Sequence, residues 1–138
     1  MNNSEITSLI VSCAKAHRTA LSGKLRELGL FIGQDILLAH VAKAGPVSQK
    51  ALADALQVEQ ATISESVKKL SAAGMIERQP DPDDKRAYRV IATPKGMGVA
   101  KDIETAWVHE EAKFLGTMSV AEIQSLKEVL QKALARIT

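Results

Sequence analysis

The sequence has little cysteine, few aromatic residues and no long apolar run, and each shortage excludes a class of protein. Its one cysteine, Cys13, leaves no intramolecular disulfide to form and is typical of a reducing, cytoplasmic location. No segment is long and apolar enough to span a membrane, and the N-terminus lacks the basic stretch that opens a signal peptide. With an aromatic content of 3%, an α-rich core of Leu, Ile, Val and Ala is expected.

An excess of one charge sign is also missing. Lys and Arg number 18 and Asp and Glu 16, so the formal net charge is only +2. Residues 1–30 carry four bases and two acids, whereas residues 101–138 carry five bases and six acids. Bulk electrostatics therefore identifies no polyanionic partner, and a case for nucleic acid binding has to rest on a motif.

Helical periodicity, by contrast, is strong. Apolar residues recur at three- and four-residue steps over residues 4–28, which predicts a first helix with one apolar face. A second helix is predicted from Ile32 to Lys43, and the Gly and Pro of the segment 44–46 end it. The length suits one core, so the whole chain, 1–138, is expected to form a single domain.

The middle of the chain has the pattern of a helix-turn-helix followed by a β-hairpin. Ser48 is placed to cap a short helix, and a tight turn at 57–59 leads into a further helix from about Gln60 to Ala73. Segments 75–79 and 87–92 are predicted strands joined by a turn rich in Pro and Asp. The buried face of the further helix is predicted to consist of Ile63, Val67 and Leu70.

Two more helices are predicted at the C-terminal end. Thr93 and Pro94 are a cap and a first helical residue, and this long helix runs to about Leu115, where Gly116 ends it. The sequence from Ser119 to Glu122 is a capping box that opens the last helix. One side of that helix is expected to be lined by Ile123, Leu126, Val129, Leu130, Leu134 and Ile137.

A helix-turn-helix binds DNA by placing its second helix in the major groove, and the predicted second helix has short or hydrogen-bonding side chains on its outer face. These side chains are Gln60, Ala61, Thr62, Ser64, Glu65 and Lys68. The same pattern also fits the solvated face of any packed helix. Periodicity alone leaves both interpretations open.

Residues 29–98 resemble the MarR family of winged helix-turn-helix transcription factors. The landmarks are Gln34, Leu52-Ala53, Thr62-Ile63, Leu70, Gly74-Met75-Ile76, Arg78, Asp81-Pro82, Asp84, Arg86 and Thr93-Pro94-Lys95-Gly96. The resemblance implies a mostly α fold with a small β-hairpin wing. Its winged helix-turn-helix core would cover about residues 32–92, flanked by long dimerisation helices in residues 1–30 and 94–138.

The resemblance also implies a function. Members of the family form homodimers that bind a pseudo-palindromic operator in double-stranded DNA. They usually act as repressors, and a small-molecule effector, often a phenolic or aromatic acid, releases many of them from DNA. Whether this chain represses or activates is left open.

The positions that match the family's DNA-contacting residues include the outer face of the second helix of the motif. They are Ser48, Gln60, Ala61, Thr62, Ser64, Glu65 and Lys68, with Lys85 and Arg86 at the tip of the wing. Asp84 would position the wing by holding a nearby Arg through paired hydrogen bonds. Glu59 and Glu65 depart from the family pattern, because Glu59 would repel phosphate and Glu65 stands where many members have a base. Glu65 could accept a hydrogen bond from cytosine N4.

The family's effector cleft lies among the first, second and fifth helices. In this sequence the positions there offer two candidate anchors for a carboxylate, His17 and Arg18. Apolar or aromatic walls could come from Phe31, His40, Met97 and Trp107. His17 also fits a core or interface position, and Arg18 also fits an ordinary surface charge.

Redox sensing is an alternative, because some family members detect peroxides through a cysteine on the first helix. Cys13, however, lies about two turns too close to the landmark in the second helix. The tyrosines that accompany the peroxide-sensing thiol are also missing, and a buried structural thiol is predicted instead. No metal site or cofactor is expected, because His17, His40 and His109 fall on three different predicted helices.

An enzyme and a protein-interaction module are the two alternatives to a regulator. Enzyme motifs are missing, since the sequence contains no Gly-rich phosphate loop, nucleophile elbow or recognisable pair of catalytic carboxylates. A protein-interaction module stays open, because winged helices also serve as docking domains. The near-neutral recognition surface and the two glutamates keep that alternative open.

Overall fold

The computed structural model describes residues 3–138, in which helices dominate and one small antiparallel sheet lies in the middle of the chain. The elements are α1 Asn3–Glu27, α2 Gln34–Ala44, β1 Val47–Ser48, α3 Gln49–Leu56, α4 Gln60–Ala72, β2 Ile76–Pro80, β3 Tyr88–Ala92, α5 Pro94–Leu115 and α6 Val120–Ile137. The expected fold class, mostly α with a small β-hairpin wing, is confirmed. Predicted and observed ends of α1, α2, α4 and α5 agree closely.

The core is aliphatic, as the low aromatic content predicts. Leu21 and Leu25 of α1 and Leu38 and Val41 of α2 are fully buried members of one hydrophobic cluster. The core also contains Leu52, Ile63, Val67, Leu70, Ile76, Val90 and Ile103. Each such side chain contributes about 1.5–3 kcal/mol when buried. The core therefore joins α1 and α5 to the helix-turn-helix.

Side-chain caps fix three of the helix starts. Ser48 Oγ accepts a hydrogen bond from the Ala51 amide at 3.0 Å, and Thr93 Oγ1 accepts one from the Gly96 amide at 3.0 Å. Ser119 and Glu122 form the reciprocal capping box at 3.0 and 3.1 Å. The three predicted caps are confirmed.

The sheet contains one strand that periodicity did not reveal. β1, a two-residue strand, pairs antiparallel with β3 through Val47 and Val90, so that the strand order is β1-β3-β2. A segment of two residues is too short to show an alternating pattern. The wing is defined here as β2, β3 and the turn of residues 81–87 between them.

The start of α5 packs directly against residues 73–75, which follow α4. Thr93 Oγ1 donates to the Gly74 carbonyl at 2.6 Å, and the Lys95 ammonium donates to the Ala73 carbonyl at 2.7 Å. Gly96 comes so close that a Cβ there would overlap the carbonyl oxygen of Met75. The Thr-Pro-Lys-Gly landmark therefore ties the helix-turn-helix to α5.

Two helical faces stay uncovered within the chain. No residue of α6 is buried, and its apolar side chains are exposed at Val129, Leu130, Leu134 and Ile137. The N-terminal half of α1 exposes Ile6, Leu9, Ile10 and Val11. Cys13 lies in this half of α1 and is exposed, so the prediction of a buried thiol is wrong for the single chain. Leu21 is the first buried residue of α1, and residues 4–20 of that helix are exposed or half-buried.

Candidate nucleic-acid interface

The helix predicted to face DNA, α4, is held in place by its inner face. Ile63, Val67 and Leu70 are 0–2% exposed and pack in the core, as predicted. The outer side carries exposed Gln60, Ala61, Thr62, Glu65 and Lys68. Ser64 is half-buried, because it lies at the edge of this face.

The N-terminus of α4 carries a carboxylate that makes no cap. Glu59 occupies the N-cap position, but its side chain forms no capping hydrogen bond. Its negative charge is nevertheless placed at the positive end of the helix dipole. The preceding helix differs, since Ser48 caps α3 with its hydroxyl oxygen while the hydroxyl hydrogen stays available to a further acceptor.

The turn of the wing is organised around Asp81. Its Oδ1 accepts hydrogen bonds from the backbone amides of Asp83 at 2.8 Å and Asp84 at 3.2 Å. Its Oδ2 lies 3.5 Å from Arg89 Nε, on β3. The amide of Asp83 above all, with that of Asp84 and the Arg89 guanidinium, holds the pKa of Asp81 below its ordinary value. The Asp81 carboxylate is therefore charged at neutral pH and closes the turn.

Asp84 acts differently from the prediction. Its Oδ1 accepts a hydrogen bond from the backbone amide of Arg86 at 2.9 Å, and no Arg side chain pairs with it in the part of the chain that the structure describes. The Arg held by a carboxylate is Arg89, and the carboxylate is Asp81. Asp84 precedes Arg86 by only two residues, and that spacing suits a turn bond to the backbone.

The tip of the wing presents two free cations. Lys85 and Arg86 are both exposed, and no carboxylate of residues 3–138 lies within ion-pair distance of either. Of the three aspartates in the turn, Asp81 and Asp84 accept hydrogen bonds from its backbone amides, so these two acids are held apart from the two cations although the charge of the wing sums to near zero. Such cations at the end of a hairpin can enter the minor groove or contact phosphate.

Comparison with known proteins identifies this arrangement. The model of the MarR family matches residues 35–87. A proposed transcriptional regulatory protein for the hcr operon of Thauera aromatica is 32% identical over 96 residues, which are 70% of this chain and 58% of that protein. The solved structure of the transcriptional regulator SlyA is 28% identical with a TM-score of 0.89, and the match covers 96% of this chain and 93% of SlyA.

The chain matches the MarR family in both sequence and fold. A further structure, of a proposed MarR family regulator from Listeria monocytogenes complexed with 26mer DNA, has a TM-score of 0.89 at 26% identity. The match covers 99% of this chain and 90% of the Listeria protein. The chain spans little more than half of the Thauera protein that it matches. Its named relatives are transcriptional regulators rather than enzymes.

The MarR family match begins at a residue that the sequence analysis did not single out. Asp35 is fully buried at the start of α2. The Arg18 guanidinium donates to it through both terminal nitrogens, at 2.8 and 3.0 Å, and the Trp107 indole donates to it at 3.0 Å. Burial opposes ionisation, but the hydrogen bonds from Arg18 and Trp107 outweigh it and keep the pKa of Asp35 below its ordinary value. A buried acid beside an apolar run gives no periodic signal, which is why the residue was missed.

The contact with Asp35 occupies two of the residues that were predicted to bind an effector. Arg18 and Trp107 do come together, but both donate hydrogen bonds to Asp35. Arg18 is therefore neither an ordinary surface charge nor a free guanidinium that could bind an effector carboxylate. His17 packs edge-on against Phe114, with ring centroids 6.4 Å apart. Phe31 is 66% exposed and His40 is half-buried.

Within residues 3–138 no group of three or more His, Cys, Asp or Glu side chains is arranged to hold a metal ion. No helix in the described residues is long and apolar enough to cross a membrane.

Proposed function

We propose that this chain is a homodimeric DNA-binding regulator whose residues 32–92 bind a pseudo-palindromic operator in double-stranded DNA. Residues 1–30 and 94–138 form the dimerisation part of the same domain, and the protein acts in the cytoplasm. The separation of charge in the wing carries this proposal, because Asp81 and Asp84 are engaged internally while Lys85 and Arg86 are free. The Listeria relative complexed with 26mer DNA supports it.

The exposed outer face of α4 is the second part of the interface. Its side chains are short or polar, so a groove wall can approach closely, and Gln60, Ser64 and Lys68 can bond to base edges or phosphate. Ser48, at the start of α3, offers a hydroxyl to the phosphate backbone.

The uncovered helical faces support the dimer. An isolated helix without a packed face is marginal in water, yet α6 buries none of its side chains within the chain. Leu134 is 58% exposed and Ile137 81% exposed, and Leu9 of α1 is 64% exposed. Apolar faces of this kind mark a protein interface, and a second copy of the chain supplies the matching face by symmetry.

The DNA-binding proposal is tested by replacing Lys85 and Arg86 together with Ala. We expect affinity for the operator to fall about 10- to 100-fold near physiological salt, and the slope of log K against log salt to become shallower, because phosphate contacts are lost. The matched control is Lys132→Ala with Arg136→Ala on α6, which removes the same charge far along the chain. Equal affinity and slope in wild type and wing variant would count against the role of the wing.

A protein-docking module is the second candidate, favoured by exposed Glu59 and Glu65 at the recognition surface. A gel shift with the DNA upstream of the protein's own reading frame separates the two functions. Specific binding supports the regulator, and failure with every DNA sequence supports docking.

Repression and its relief by an aromatic or anionic small molecule complete the proposal, following the pattern of the family. Because Arg18 is engaged by Asp35, His17 and Phe31 are the better residues for testing such an effector. Calorimetry with a panel of aromatic carboxylates, comparing wild type with His17→Ala, measures the effect. Binding that is identical in both proteins would remove His17 from the site.

A further inference from the structure

The Asp35 carboxylate is the most constrained polar group that the structure describes. Its side chain is 0% exposed, and its two oxygens accept four hydrogen bonds. Oδ1 accepts from Arg18 Nη2 at 2.8 Å and from the Gly33 amide at 3.1 Å. Oδ2 accepts from Arg18 Nη1 at 3.0 Å and from Trp107 Nε1 at 3.0 Å. All acceptor positions of the carboxylate are therefore used.

The side-chain donors and their acceptor come from parts of the chain that have different proposed roles. Arg18 lies on α1 and Trp107 on α5, the two helices assigned to the dimer, whereas Asp35 lies in the first turn of α2. α2 packs against α3, and α3 packs against α4. The cluster of Arg18, Asp35 and Trp107, called the Asp35 cluster below, thus joins the dimerisation helices to the helix-turn-helix.

This type of contact fixes direction in a way that the aliphatic core does not. Apolar contacts have no preferred direction, whereas a bidentate Arg–carboxylate pair is tied to one geometry. Burial raises the penalty for leaving any of these groups unpaired. The Asp35 cluster therefore restrains the orientation of α2 relative to α1 and α5.

A small change of angle at this position has a large effect further along α2. The helix has 11 residues and is about 16 Å long, so a tilt of about 5° moves its far end by about 1.4 Å. In a symmetric dimer both protomers move, and the separation of the two α4 helices changes by about 3 Å. That distance is close to the rise of about 3.4 Å per base pair.

We propose that the Asp35 cluster is a positioning element that sets the separation of the two recognition helices and thereby the half-site spacing that the dimer accepts. The inference rests on the proposed function, because it presupposes a dimer that binds two half-sites. Asp35 touches no DNA in this scheme and acts through the orientation of α2.

The experiment measures binding of the full chain to a series of synthetic operators. Each operator carries the same half-sites, selected with the wild-type protein from random DNA, separated by spacers that differ by one base pair. Wild type is compared with Asp35→Asn, which keeps the size of the side chain but turns an amide toward two donors. Trp107→Phe removes one donor and keeps the ring. Asp102→Asn is the matched control, the same chemical change on an exposed residue of α5.

We expect wild type and Asp102→Asn to prefer one spacing by about 10-fold or more over its neighbours, since one base pair also rotates the half-site around the DNA. In Asp35→Asn the preference falls to about 3-fold or moves by one base pair. Trp107→Phe shows a smaller change in the same direction. If Asp35→Asn does not fold, as judged by circular dichroism, Trp107→Phe decides.

A distance measurement provides a readout without DNA. A spin label at Ala72→Cys, exposed at the end of α4, in a Cys13→Ser background reports the separation of the two helices in the dimer. Asp35→Asn is expected to shift or broaden that distribution by about 3 Å, following the same lever estimate.

The outcomes separate the two proposals. Equal weakening at every spacing, with an unchanged distance distribution, would show that the cluster only stabilises the fold and would overturn the inference while leaving the regulator intact. Failure of wild type to bind any DNA would overturn the proposed function and the inference together.

Discussion

At the scale of single residues, the buried carboxylate of Asp35 has the clearest energetic consequence. A buried ion pair contributes little net stability compared with apolar groups of the same shape, but breaking it leaves an unpaired charge. Here the charge left behind would be Arg18, whose side chain is 27% exposed and therefore partly solvated.

Asp35→Asn is expected to lower the free energy of unfolding by about 2–4 kcal/mol at pH 7, somewhat below the usual cost of breaking a buried pair because Arg18 is partly hydrated. Urea denaturation followed by circular dichroism measures the change. Asp102→Asn should alter stability by less than about 0.5 kcal/mol. A loss in Asp35→Asn no larger than in this control would contradict the assignment.

The same residue predicts a pH dependence. Because the pKa of Asp35 is lower in the folded chain than its unfolded value of about 3.9, its stabilisation is fully present above that value and is lost as the pH falls through the folded pKa. The stability difference between wild type and Asp35→Asn should stay constant from about pH 5 to 8 and shrink below about pH 4. Asp81 and Glu122, whose pKa values are also lowered, cancel in this difference.

At the scale of secondary-structure elements, the junction between the segment after α4 and the start of α5 decides how the helix-turn-helix is attached. Thr93 serves two purposes there, since its hydroxyl caps α5 and donates to the Gly74 carbonyl. Gly96 admits the Met75 carbonyl where any side chain would overlap it.

Two glycines of α5 should respond in opposite ways to replacement by Ala. Gly96→Ala is expected to destabilise the chain by about 1–3 kcal/mol or more, because its Cβ collides with the backbone at Met75. Gly98→Ala has open space and should stabilise the helix by about 0.5–1 kcal/mol. Thermal unfolding of the two variants measures the difference. A loss of stability at Gly98 as large as that at Gly96 would show that the clash is not the cause.

At the scale of the whole molecule, the uncovered faces of α1 and α6 are the surfaces through which the proposed dimer would form. These faces hold more exposed aliphatic side chains than isolated surface residues would explain, and α6 has no other packing partner that buries its side chains within residues 3–138. The proposed dimer also places two α4 helices and two wings on one DNA site.

Leu130→Glu is expected to dissociate the dimer, because it places a carboxylate in the apolar face of α6. Sedimentation velocity at micromolar concentration should show a dimer for wild type and a monomer, or a partly unfolded chain, for the variant. Gln131→Glu adds the same charge on the adjacent, polar side and should leave the dimer intact. A monomer in both wild type and control would overturn the assembly.

How well a structural feature could be predicted from the sequence depends on how far apart in the chain its interacting residues lie. The caps at Thr93 and Ser119 and the inner face of α4 were predicted correctly because each depends on residues close in the sequence. The role of Asp84 was predicted wrongly, because choosing between Asp81 and Asp84 as the partner of Arg requires the register of the hairpin, in which Gln79 lies opposite Arg89.

The sequence by itself determined the helices, their ends, the hairpin and the family, because propensity, capping and apolar spacing act over a few residues. Only the tertiary structure decided which charges are used internally. The hydrogen bonds from Arg18 and Trp107 to Asp35 span 17 and 72 residues, and no local pattern encodes such contacts. Tertiary structure likewise left Lys85 and Arg86 free at the wing tip, because the strand pairing brings Arg89, and not these two, to the carboxylate of Asp81.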